Sequence, residues 1–188
     1  MSDLSDAVSE TLDIAHESKL NSYVAIFVAI TATFMAICNI KGGNIVQNMA
    51  KAESKRVNAW NYYQAKSTKQ NLAESTLEIL KSSPTSESSK IQKLEEKIAR
   101  YENEKEEIKK EAEDLQNEYD ALNVFDDQFD MTEAFLSIAI AMYGLAALTQ
   151  KRPLFYFALT LSSVGFILGL SAFFKISLHS DFISSILG

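Results

Sequence analysis

From residue 91 to residue 122, apolar and aromatic side chains recur at alternating steps of three and four. The series is Ile91, Leu94, Ile98, Tyr101, Ile108, Ala112, Leu115, Tyr119 and Leu122, with Lys105 its one charged member. The positions between are almost all Glu, Lys, Asp, Asn and Gln, which predicts a heptad seam on a solvated helix. One narrow stripe is not stable in water until a second helix covers it. A weaker track precedes it, at Ile45, Met49, Ala52, Ala59, Tyr63, Ala73, Leu77 and Leu80, interrupted by Arg56, Lys66 and Gln70. Between the tracks, Pro84 and a cluster of serines break the helical pattern, and Ser88 or Ser89 is expected to cap the second helix. Each polar segment is about forty residues and rises roughly 60 Å. This matched length predicts an antiparallel hairpin over residues 41–131, with its turn near 82–88. A turn centred at 84–85 sets Ile45 beside Val124, Trp60 beside Ile108, Tyr63 beside Lys105 and Leu77 beside Ile91.

Three apolar runs flank the hairpin. Residues 22–40 carry no charge and are long enough to cross a hydrocarbon core. Residues 132–150 and 154–174 form the second and third runs, joined by the tight turn Lys151-Arg152-Pro153. The fold class expected is an all-α membrane protein: three transmembrane helices, with a long antiparallel coiled-coil hairpin between the first and second. Gly42-Gly43 is expected to loosen the exit from the first span. Residues 1–21 read as an acidic tail or amphipathic helix, with Leu4, Val8, Leu12 and Ala15 at helical spacing. They lack the basic lead and cleavage site of a secretory signal. Residues 175–188, with Ile176, Phe182, Ile183, Ile186 and Leu187 among polar neighbours, read as an interfacial segment.

Composition narrows the function classes. A formal net charge of -7 opposes nucleic-acid binding, which needs a basic surface. The one cysteine, Cys38, lies in an apolar run, and the two histidines, His16 and His179, sit at opposite ends of the sequence. Neither a disulfide framework nor a histidine metal site is expected. No Walker loop, GxGxxG, HExxH or GxSxG occurs, so no catalytic residue, cofactor or metal is expected and the chain does not read as an enzyme.

Candidate interaction residues remain. Trp60, Tyr63 and Lys66 form the most distinctive local cluster, too far beyond the first span to be an interfacial aromatic belt. Trp60 and Tyr63 read first as hairpin core or a contact with a neighbouring subunit, and second as a partner site. Tyr101, Lys105 and Ile108 face them on the strong seam, with the Lys105 ammonium expected over the Tyr63 ring. Asp130-Met-Thr-Glu133 resembles a helix-capping pattern at the membrane boundary; the rival reading of Glu133 is proton or cation handling. Gly165 and Gly169 form a GxxxG, and Ala25, Ala29 and Thr33 a ridge of small residues, both expected to admit a second helix closely.

Tyr63-Gln-Ala-Lys66, Glu104-Lys105 and Lys151-Arg152, in that order along the chain, resemble domain-of-unknown-function family 4337, a set of bacterial membrane proteins. The similarity runs from the first span to the third. It implies a multi-pass location in the bacterial inner membrane and no assigned activity. The expected function is a membrane-anchored structural or interaction protein, a self-assembling scaffold or accessory subunit. The alternative is an oligomeric transport or channel component. Expected partners are membrane lipid, further copies of the chain and a protein at the hairpin, with no nucleic acid. The basic turn at Lys151-Arg152 puts the N-terminus in the cytoplasm and the hairpin in the periplasm.

Overall fold

The computed structural model describes the backbone of residues 2–84 and 87–178, and side chains within that range from Lys19 onward. Three helices make up nearly all of it: α1 (Ser2–Ser82), α2 (Ser88–Thr149) and α3 (Arg152–Phe173). No strand occurs among the described residues. The apolar stripe expected at Leu4, Val8, Leu12 and Ala15 lies outside the residues whose side chains are described. So does the interfacial segment beyond Leu178.

Two helices run through points where local signals suggest a break. Helix α1 continues across Gly42-Gly43, where a helical glycine costs only about 1 kcal/mol relative to alanine. A Cβ at Gly42 would stand 3.6 Å from the Phe129 Cβ, so the bare backbone at Gly42 is packed. Helix α2 likewise carries Asp130 and Glu133 in its interior. The first-turn N–H groups a cap would serve are already bonded there, so the capping expected of Asp130-Met-Thr-Glu133 is not seen. Extending a helix is cheap and restarting one is costly, and neither stretch holds a proline. At the hairpin turn, the Glu87 carbonyl accepts from Lys90 N–H (3.0 Å) and Ile91 N–H (3.4 Å). Glu87, not Ser88 or Ser89, therefore heads α2.

The chain divides into two compact units, residues 1–46 with 123–188, and residues 47–122. In the first, the beginning of α1, the end of α2 and all of α3 pack around Val24, Ala139, Tyr143, Ala146, Phe155 and Ala158. Phe27 stacks on Tyr143 at 6.0 Å and meets Phe155 edge-on at 5.6 Å. Tyr143 and Ser162 share a buried hydrogen bond of 2.9 Å. All three helices contain stretches long and apolar enough to cross a membrane, yet only 17%, 33% and 28% of those stretches, in chain order, is buried within the chain. Most residues of these stretches are thus not buried within the chain. Helix α2 turns into α3 at Gln150, whose φ of 53° is left-handed, and Pro153 sits in the first turn of α3. The Gln150 amide donates to the Ala147 carbonyl (2.6 Å) and to Asn21 Oδ1 (3.0 Å), which ties the turn to α1.

The second unit is an antiparallel pair formed by the later part of α1 and the earlier part of α2. Contacts that advance along α1 retreat along α2: Arg56 with Gln116, Lys66 with Glu104, Gln70 with Glu102, and Lys81 with Glu95. Every member of the strong seam from Ile91 to Leu122, Lys105 included, is buried or half-buried. The same holds for the weaker track, and its interruptions Arg56, Lys66 and Gln70 turn inward with it.

Candidate functional site

The inward track on α1 is poor in large apolar groups. Ala52, Ala59 and Ala73 hold buried positions, and polar side chains stand between them. Small residues let the helices approach, and that leaves Tyr63, Lys66 and Gln70 facing α2. There they meet the one polar interruption of the opposite seam. Lys105 Nζ donates to Gln70 Oε1 at 2.9 Å and lies 5.5 Å from the centroid of the Tyr63 ring. Gln70 Nε2 donates to Glu102 at 2.7 Å and to Glu74 at 2.9 Å. Lys66 donates to Glu104 and sits 5.4 Å from the Tyr101 ring centroid. About two turns before Tyr63, Arg56 pairs with Glu53 and donates to Gln116 at 2.6 Å.

Charge follows this geometry. The Gln70 amide, then Lys105, hold the Glu102 carboxyl below the usual glutamate range. The hydrogen bond from Lys66 does the same for Glu104, as that from Arg56 does for Glu53. Four side-chain hydrogen bonds, Arg56–Gln116, Lys66–Glu104, Gln70–Glu102 and Lys105–Gln70, thus cross-link the two helices. A satisfied polar layer adds little net stability but selects one register, because a slip of one turn would strand Gln70 and Lys105 without partners.

Of the residues singled out in the sequence, Tyr63, Lys66, Tyr101 and Lys105 come together in this layer. Ile108 lies on the same seam, half-buried. Trp60 does not join the core: it is 37% exposed and meets Tyr63 edge-on at 5.5 Å, while Ala59 at 6% takes the inward position. The expected packing of Trp60 on Ile108 is replaced by this outward placement. Glu133 lies in the three-helix unit, exposed, and accepts a hydrogen bond from Asn39 at 3.4 Å. Nearby, burial and then the neighbouring carboxylates push Asp126 and Asp130 above the usual aspartate range.

Gly165 and Gly169 are buried against their own chain. A Cβ at Gly165 would stand 2.6 Å from Leu136 Cδ2, and one at Gly169 2.8 Å from the Phe34 ring. The close approach these glycines permit is therefore intramolecular. Ala25, Ala29 and Thr33 remain exposed on α1. Glu102, beside the strong seam and not on it, is the participant that the periodicity missed. Gln70 was legible as an interruption of the weaker track, and polar interruptions of two facing seams must either meet or be stranded.

A family model described as a domain of unknown function, DUF4337, matches residues 20–175. Comparison with curated proteins and with solved structures finds no match. The matched stretch takes in all three apolar segments and the whole antiparallel pair, so the chain belongs to the DUF4337 family.

Proposed function

We propose that this is a multi-pass protein of the bacterial inner membrane, anchored by three spans, whose antiparallel coiled-coil hairpin assembles with a second copy of the chain. On this reading it is a structural scaffold or accessory subunit and not an enzyme. The observation that carries the proposal is a second apolar stripe on α1. Val57, Trp60, Leu72 and Ile79 are 47%, 37%, 69% and 70% exposed. At 100° per residue these four share about a third of the helix circumference, distinct from the inward track of Ala52, Ala59 and Gln70. Four large apolar groups aligned on an otherwise polar helix resemble the uncovered half of an interface. Copies inserted the same way in one membrane meet at equal height, so the stripe meets its own counterpart, as two-fold symmetry requires.

The transport or channel alternative draws less support. Glu133, on which that reading rests, is exposed and accepts a hydrogen bond from Asn39, and buried Gln128 donates to the Leu168 carbonyl (3.1 Å) and to Ser171 Oγ and accepts from Leu178 N–H (3.3 Å). The capacity of Gln128 is consumed in packing. For topology, the Lys151-Arg152 turn supports a cytoplasmic N-terminus and a periplasmic hairpin. Cys38 is buried, which leaves engineered thiols as the reporters. Cysteines at Ser5 and Ser86 should label with an impermeant reagent at position 86 only, in cells with a permeabilised outer membrane; labelling at 5 alone reverses the orientation.

Disulfide trapping in native membranes tests the assembly. Val57→Cys should yield a covalent dimer on oxidation and Ala59→Cys none, because position 59 faces the partner helix of its own hairpin. Trapping at 59 but not at 57 would mean that the stripe is not the interface.

A further inference from the structure

Three ends of the apolar segments meet at one place. The first run begins at Ser22, the second ends at Gln150 and the third begins at Leu154, and the Gln150–Asn21 hydrogen bond holds these ends together. A cavity of about 450 Å³ opens there, lined by Lys19, Leu20, Tyr23, Phe27, Arg152, Phe155 and Tyr156. Among the described residues, its lining has two cations and no carboxylate. Among the described residues, neither Lys19 nor Arg152 takes part in an ion pair. An anion in the cavity would be attracted by both cations. The rest of the wall is aromatic and aliphatic, which suits a ligand with an apolar end.

We propose that this cavity binds the phosphate of an anionic phospholipid, with Lys19 and Arg152 as its cationic contacts and the glycerol and first acyl carbons against Tyr23, Phe27 and Tyr156. The inference rests on the reading of the three helices as membrane spans. Where these segments cross a bilayer, their shared ends lie at headgroup depth, and basic pockets between spans at that depth select acidic lipids. Free inorganic phosphate offers the same anion but no use for the aromatic wall. Arg152 presents a planar fork to phosphate oxygens and Lys19 a point charge, a pairing suited to a headgroup held at the mouth of an apolar slot.

The test uses the full-length protein. Carbonate extraction of membranes comes first: release of the protein would overturn both the membrane reading and this inference. If the protein stays, it is purified in neutral detergent and its retention of phosphatidylglycerol is compared with that of phosphatidylcholine of the same chains by native mass spectrometry. The wild type should prefer phosphatidylglycerol, and Lys19→Gln with Arg152→Gln should reduce that preference by about tenfold. The charge-keeping pair Lys19→Arg with Arg152→Lys should retain binding, which separates lost charge from lost fold. Lys41→Gln, at the opposite end of the first span, should change nothing. Excess inorganic phosphate should leave the lipid bound. Equal retention of the two lipids, an unchanged double variant, an equal loss with Lys41→Gln or displacement by phosphate would each overturn the lipid site while leaving the membrane reading intact.

Discussion

Lys105 is the residue on which the hairpin's polar layer turns. It spends one proton on Gln70 and places its charge over Tyr63. Lys105→Met removes both and leaves the buried Gln70 Oε1 without a donor, which should cost about 1–2 kcal/mol in denaturant unfolding of the solubilised protein. Replacing Gln70 and Lys105 together by Leu should recover most of that loss, because no orphaned polar group remains. A double variant as unstable as the single would mean that the layer matters for the fold and not only for its register. Thr31 presents the opposite case. Its Oγ1 is buried with no hydrogen-bond partner among the described residues, so Thr31→Val should be neutral or stabilise by up to about 1 kcal/mol. A clear drop in melting temperature would show that the hydroxyl has a partner in the membrane.

At the scale of the element, periodicity made the hairpin legible and local signals misread its ends. The seam from Ile91 to Leu122 could be read because every third or fourth residue must face a partner, and all of them do. The orientation of Trp60 could not. The weaker track already sets Ala59 inward, but the pairing of Trp60 with Ile108 rests on axial register alone, which does not fix the direction a side chain takes. Gly42-Gly43 and Asp130 to Glu133 look like helix ends in isolation, but cooperative propagation carries α1 and α2 through them. The GxxxG of α3 was legible as a close contact, while which helix it meets depends on the three-helix packing. Because Leu136 and Phe34 fill the space at Gly165 and Gly169, Gly165→Leu and Gly169→Leu should each destabilise the protein by about 1–3 kcal/mol. Thermal unfolding in detergent should report that loss; a change in oligomer mass at unchanged melting temperature would assign the glycines to another copy.

For the whole molecule, acid should act in two senses. Glu53, Glu102 and Glu104 have lowered folded-state pKa values, so their contribution is present above the ordinary glutamate range and disappears as pH falls through the lowered values. Asp126 and Asp130 are raised, so their ionisation opposes folding at neutral pH and protonation relieves it. The melting temperature should therefore rise slightly as pH falls from 7 toward the ordinary aspartate range of about 4, then drop below it. Asp126→Asn with Asp130→Asn should abolish the rise and keep the drop. A drop that starts at neutral pH would contradict these signs.

The central claim is that a membrane-anchored hairpin assembles through the outward stripe of α1. Its most direct measurement is the mass of the solubilised full-length protein by light scattering with the detergent contribution subtracted, beside a Val57→Glu, Leu72→Glu variant. Two or more copies in the wild type, reduced toward one in the variant with helix content unchanged, is the predicted result. A wild-type monomer, or an assembly indifferent to both glutamates, would contradict it.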